Sequence, residues 1–293
     1  MIVIHQMAKV ASRSWVEAAK LAAPTEGSLA IHCHYAVPCH RERIEVVFGW
    51  PAARQTIANM YLPRNILRVG ASAWEQIESA RRRQERIQVV SGMRDPVARS
   101  ISLIVFMSDF YGHVSRPLSP RAVVSPEYVV GSLQENWRLV LERREPGQTF
   151  EWLLWYLTDG FRNWFAGELG AAFGVDVLQG EFQVQEAVQR MRTPEADILI
   201  YRVEDMLPEA PGYAPLLAQA NTFLGTTLTS FPIVNSSFQR RSRELSAEVR
   251  RQFWLPTDML DAIYGEPVVQ HFYHRDEILA FKKLWSARGL KGR

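Results

Sequence analysis

The sequence predicts an α/β fold: a parallel sheet covered by helices on both faces, with a helical excess in the second half. Three observations predict it. Short apolar, β-branched runs alternate with helical stretches along the chain. Those runs are apolar throughout, as strands buried on both faces are, and do not alternate with polar residues. The tail from 242 to 287 reads as mostly helical.

In order, Ile2-Val3-Ile4 reads as the first strand, residues 6–12 as a tight loop, and Arg13 to Ala23 as a helix. Pro24 to Gly27 reads as a turn and Leu29 to Tyr35 as the second strand. Two helical segments follow between 50 and 84, the second ending in Arg81-Arg82-Arg83. Ile87 to Val90 reads as the third strand. It leads into Arg94-Asp95-Pro96 and a long apolar helix through Phe110. Residues 113–124, rich in Pro and Ser, read as a loop. Helical periodicity returns over 126–144 and from 149 to about 170. Asp197 to Tyr201 is the clearest late strand, and Ala214 to Leu224 the helix after it. No internal repeat or low-complexity segment interrupts the pattern, so residues 1–293 read as a single domain.

Composition narrows the class. The 293 residues are 47% hydrophobic, with 14 Phe, 9 Trp and 9 Tyr, too many large apolar side chains for a disordered chain. No run approaches the ~20 apolar residues that cross a bilayer. Polar Gln6, Lys9 and Ser12 follow the first apolar stretch too soon for a secretory signal. Two cysteines, Cys33 and Cys39, make no disulfide framework. The expectation is a soluble cytoplasmic protein of unspecified oligomeric state. A net charge of +3 is too small to imply nucleic-acid binding. Only five of the 34 basic residues are lysine. Arginine's planar fork suits phosphate and sulfate, although genomic base composition produces the same bias.

A strand, a tight loop and a helix within ~15 residues make an anion site, because loop amides and the first helical turn face the ligand. Lys9 adds a mobile positive charge, and Ser12 and Ser14 stand where N-caps usually sit. The competing reading is an ordinary strand-to-helix turn with a serine cap and a solvated lysine. The spacing is not G-x-x-x-x-G-K-[ST], since Lys9 precedes Ser12 by three positions and alanines replace glycines. Further on, Arg94 at a strand end can fork onto a phosphate, and Pro96 suits a first helical turn. Ser102 lies about two turns along that helix. Here the competing reading is a surface arginine beside a helix-capping Asp95. His32-Cys33-His34 on the second strand puts both imidazoles on one face. Three readings stand: a packed core histidine, a metal site with Cys39 and His40, or a general base.

Lys9-Val10-Ala11-Ser12-Arg13-Ser14-Trp15 resembles the 5′-phosphosulfate loop of sulfotransferases that use 3′-phosphoadenylyl sulfate (PAPS). Ile87 to Val90, then Arg94-Asp95-Pro96, Arg99 and Ser102, resembles the 3′-phosphate motif of the same families. The His-x-His strand and the Lys-x-Ala-Ser-x-Ser loop are most similar to the uronyl 2-O-sulfotransferase branch. The order Trp164-Phe165-x-x-Glu168, Asp176-Val177, Leu199 to Asp205, Asn235-Ser236-Ser237 and Phe272-Tyr273 to Trp285 resembles bacterial capsular-polysaccharide-type sulfotransferases.

The resemblance implies a P-loop-like three-layer αβα fold and transfer of a sulfuryl group from PAPS to a hydroxyl, of a carbohydrate or similar acceptor. It implies His34 as the base, with His32 in support, although a glutamate base stays open. Lys9 would stabilise the leaving phosphate, and Ala11, Ser12, Arg13 and Ser14 would line the loop. Arg94 and Ser102 would hold the 3′-phosphate. Arg240 and Arg241, in the basic segment from Asn235 to Arg243, would close over the nucleotide, or else form a solvated helix start. Such chemistry runs on positioning and electrostatics and needs no metal. The aromatic stretch from Glu151 to Leu169 reads as a core or lid helix, with sugar stacking as the other possibility. The alternatives are a nucleotide-dependent kinase on a similar sheet, for which no magnesium-binding pair is evident, and a catalytically inactive binding relative.

Overall fold

The computed structural model describes residues 1–22, 30–48, 61–114, 125–147, 149–232 and 240–287. The turn expected at 24–27 and most of the loop expected at 113–124 lie outside them, as do Asn235-Ser236-Ser237. The described residues fall into two compact units. The first is drawn from Met1–Val46, Tyr61–Arg94 and Asn163–Ser236, the second chiefly from Asp95–Arg162 and Ser237–Arg293.

The first unit holds a five-stranded sheet: β1 (Ile2–His5), β2 (Ala30–Cys33), β3 (Ile87–Met93), β4 (Val188–Arg192) and β5 (Ala196–Arg202), in the order β2-β1-β3-β5-β4. The first four of that order pair in parallel, and β4 closes the edge antiparallel to β5. Every residue of β1 is buried, as an apolar run between two neighbours should be. One face of the sheet, carrying Ile2, Ile4, Val90, Leu199 and Tyr201, packs on helix α1 (Ser12–Ala22) through Trp15, Ala18 and Ala19. Their spacing is one helical stripe. Leu216, Ala220 and Phe223 of a later helix, Tyr213–Leu224, complete that core. On the opposite face His5 meets the rings of Trp164 and Phe173. Helices therefore cover both faces, and the mixed α/β class with a mostly parallel sheet is observed.

Among the described residues, two helices lie between β2 and β3: α2 (Pro38–Phe48) and α3 (Tyr61–Arg82). Strand β1 thus lies between its first and second successors, and the sheet order reverses there. In open α/β sheets ligands are held outside the carboxyl ends of strands at such a reversal. The loop after β1, the bend after β2 and Arg94 after β3 all stand at that end.

The elements described in the second unit are helices, with an isolated parallel bridge between Leu255 and Ser286. The unit contains α4 (Pro96–Val114), α5 (Pro126–Leu141) and the first fourteen residues of α6 (Thr149–Trp164), then α8 (Arg240–Gln252), α9 (Thr257–Tyr264), α10 (Pro267–Phe272) and α11 (Arg275–Trp285), with α7 being Tyr213–Leu224 of the first unit. Asp95 caps α4, accepting from the amides of Val97 and Ala98, and also receives the Tyr264 hydroxyl at 2.6 Å and the Trp285 indole at 2.8 Å. Arg99, the second arginine of the motif after β3, is buried and donates to the carbonyl oxygens of Leu157 and Thr158. It ties α4 to α6.

Candidate active site

The loop after β1 is built around two left-handed residues. Lys9 has φ 70° and Ala11 φ 59°, an uncommon backbone for residues with a Cβ. Left-handed residues in a tight loop can turn backbone amides toward a bound anion. Helix α1 begins at Ser12, so Ser12 and Ser14 occupy its first turn and Ala11 precedes it. That corrects the expectation of serine caps. Alanine has no side-chain oxygen with which to cap the first amides; the Ser14 amide donates to the Ala11 carbonyl oxygen at 3.1 Å.

The loop is braced from beneath. Gln6 is fully buried, and its side-chain oxygen accepts from the Tyr201 hydroxyl at 3.2 Å. The carbonyl oxygen of Val10 is the second acceptor within reach of the same hydroxyl, whose one proton the two acceptors share. Tyr201 reaches there from β5, next to β3 in the sheet, because Gly92 leaves room: a Cβ on Gly92 would lie 2.7 Å from the tyrosine ring.

Strand β2 ends at Cys33, so His32 lies on it and His34 one residue past its end, not within the strand as expected. The two imidazoles still share a side, with ring centroids 4.7 Å apart. His34 Nδ1 lies 2.7 Å from the carbonyl oxygen of Gln6. A carbonyl only accepts, so Nδ1 carries the proton and Nε2 of the neutral ring carries the lone pair. Burial holds the His34 pKa below its ordinary value, partly offset by that backbone bond, with His5 and Lys9 adding to the depression. Burial first, then His34 and Arg13, pulls His32 down to about 3. The Nε2 atom of His32 is buried without a partner among the described residues.

Arg94 donates to the carbonyl oxygen of Lys9 at 3.1 Å. Burial, then Arg94, then Arg13, pushes the Lys9 ammonium down to about 8. Lys9, Arg13, His32, His34 and Arg94 are therefore brought together, on three adjacent strand ends, as a cationic and imidazole-lined group. Ser102 stands half-buried on α4 in the second unit. Arg240 and Arg241 open α8, and their side chains lie outside what the structure describes.

Three residues meet nearby in an arrangement the sequence did not suggest: His5, His40, which the sequence offered only as a metal ligand, and Glu168, which it placed only in a family pattern. Glu168, fully buried, accepts from His5 Nε2 at 3.0 Å and His40 Nδ1 at 2.7 Å. It also accepts from the amides of Ala36 at 3.0 Å and Val37 at 3.2 Å. Burial would raise its pKa, but the His40 and His5 hydrogen bonds hold it below the usual carboxylate value. Glu168 lies on a π-helical stretch, Phe165–Gly170, that continues α6. Such stretches are rare and concentrate at functional sites. The metal reading of His32, His34, Cys39 and His40 finds no geometry: Cys39 is exposed and His40 is turned to Glu168. Among the described residues no three His, Cys, Asp or Glu side chains are arranged to hold a metal ion.

Chemically, the group offers a lysine and arginines for a polyanion, and beside them an imidazole with its lone pair on Nε2. Among the described residues no helix is long and apolar enough to cross a membrane. Comparison with protein-family models, with curated proteins and with solved structures returned no match to this chain.

Proposed function

We propose that this chain is a PAPS-dependent sulfotransferase acting on a hydroxyl group of a carbohydrate or similar acceptor. The observation that carries the reading is the convergence of a left-handed Lys9–Ala11 loop, Arg94 and His34 at the carboxyl ends of β1, β3 and β2. The motif spacing gives a second, independent support.

PAPS would supply a sulfuryl group already attached to a good leaving phosphate. Lys9, the amides around Ala11, and the Ser12 and Ser14 hydroxyls form the donor set for that 5′ end. Nε2 of His34 takes the proton of the acceptor hydroxyl as its oxygen bonds to sulfur. The depressed pKa keeps the ring neutral and able to accept at physiological pH. Lys9 offsets the negative charge that develops on the leaving oxygen. Its placement in a buried, water-poor loop strengthens the effect. His32, beside His34 and uncharged, adds no positive charge that would oppose proton uptake.

The test is calorimetric titration with 3′-phosphoadenosine 5′-phosphate (PAP), AMP and ADP, followed by transfer from labelled PAPS to a panel of glycans without added metal. Affinity for PAP at least tenfold above AMP, with labelled product, supports the reading. Equal affinities, or phosphate transfer from ATP with magnesium, overturn it in favour of a kinase. PAP binding without transfer to any acceptor identifies an inactive relative.

A further inference from the structure

We propose that Glu168 is the positioning residue for His34, and that it acts through the backbone that follows the histidine; this rests on the reading of His34 as the base. The segment from His34 to Val37 is held at every peptide. Trp164 Nε1 donates to the carbonyl oxygen of His34 at 3.1 Å. Glu168, one helical turn further along the same segment, takes the amides of Ala36 and Val37 on its Oε2 atom. On another side, α3 presses its backbone at Gly70 so closely that a Cβ there would lie 1.8 Å from the Tyr35 carbonyl oxygen. Arg41 Nε donates to the carbonyl oxygen of Ala36 at 3.1 Å.

The partners of Glu168 divide between its two oxygens in a way that suits a clamp. Oε2 gathers His5 at the end of β1 and the two amides after β2. Oε1 fixes His40 on α2. Gly167 lets the His40 ring approach, since a Cβ there would lie 2.6 Å from His40 Cε1. One carboxylate therefore joins the ends of β1 and β2 to the start of α2. Gln6 follows His5 directly, and its carbonyl oxygen is the acceptor that sets the His34 tautomer. The two ends of the His34–Gln6 bond are thus fixed by the same side chain. A buried ionised carboxylate is costly unless fully hydrogen-bonded, and four donors satisfy this one.

A mere cap on α2 and a positioning device make different predictions for two variants. Gln in place of Glu keeps one oxygen for the Ala36 and Val37 amides, and its amide group can donate to His40 once that ring changes tautomer. Ala keeps nothing. For Glu168→Ala we expect kcat to fall about 10- to 100-fold, as a misplaced catalytic group does, with PAP affinity within about twofold of wild type. Glu168→Gln should recover kcat to within about threefold of wild type. Trp164→Phe, which removes the bond to the His34 carbonyl and keeps an aromatic ring against His5, covers the case in which Glu168→Ala fails to fold and should show the same separation of kcat from PAP affinity. The imidazole nitrogen signals of labelled protein give a readout without activity: His34 should be protonated on Nδ1 in wild type and Glu168→Gln, and show mixed tautomers in Glu168→Ala or Trp164→Phe. Unchanged kcat and tautomer in those two variants would overturn the proposal, as would a Gln variant as impaired as Ala. Absence of transfer by the wild-type chain sinks the sulfotransferase reading alone, and the tautomer measurement still decides the clamp.

Discussion

Arg94 and Lys9 are 85 positions apart in the chain, yet the guanidinium of one donates to the backbone carbonyl of the other. The bond ties the end of β3 to the loop after β1 and steadies a lysine in an uncommon backbone conformation. The resemblance would assign Arg94 to a 3′-phosphate, whereas its observed partner is Lys9, in the loop proposed for the 5′ end. Arg94→Ala is therefore expected to weaken both AMP and PAP, each by about 10- to 100-fold, the effect of losing a hydrogen bond from a charged group. Calorimetry with the two nucleotides measures this. Loss of PAP affinity with AMP untouched would return Arg94 to a purely 3′ role.

Tyr201 carries the same loop from below. Tyr201→Phe removes one hydroxyl that serves both Gln6 and Val10, and leaves the buried Val10 carbonyl without its donor. The expected cost is about 1–3 kcal/mol of stability, with weaker PAP binding. Gly92→Ala should reach a similar loss by a different route, since its new methyl meets the tyrosine ring. Combining the two should cost less than their sum, because without the hydroxyl the ring is freer to move. Additive urea denaturation midpoints would show that Gly92 and Tyr201 act separately.

Strands β1, β3 and β5 were legible because parallel interior strands are uninterrupted apolar runs. Val188-Gln189-Arg190-Met191-Arg192 was not, because β4 is an antiparallel edge whose burial is partial and whose charges face water. The Lys9 loop was legible because its residues are adjacent in sequence. The Glu168 clamp was not: its histidines lie 163 and 128 positions away, and nothing in the apolar periodicity of 149–170 marks the change from α- to π-helix at Phe165. Arg99 shows the opposite failure. It occupies a motif position, and the structure spends its guanidinium on two helix carbonyls.

The two strand-end histidines make the fold acid-sensitive. Unfolded histidine takes up a proton near pH 6.5, whereas folded His32 resists until about 3 and folded His34 is also depressed. Below pH 6.5 the unfolded chain binds more protons, so stability is full above that value and falls as the pH drops towards 3. After allowance for partial exposure, His32 should contribute about 1 kcal/mol of loss per pH unit. Denaturation of wild type and His32→Gln at pH 7 and pH 5 checks the sign. An identical pH dependence in the two proteins contradicts the assignment.

Lys9 sets the alkaline limit. Its ammonium, lowered to about 8 by burial and by Arg94 and Arg13, is the charge that the proposed function sets against the anion. Above pH 8 the free protein loses that charge, so PAP affinity should fall towards tenfold per unit. In transfer assays kcat/KM, which reports the free enzyme, should bend downward near pH 8. The kcat profile should hold to higher pH, because a bound polyanion favours the charged lysine and raises its pKa. Lys9→Arg removes the titration and should abolish the alkaline limb of PAP binding, whatever it does to turnover. Wild-type PAP affinity unchanged between pH 7 and pH 9.5 would show that Lys9 does not face the nucleotide.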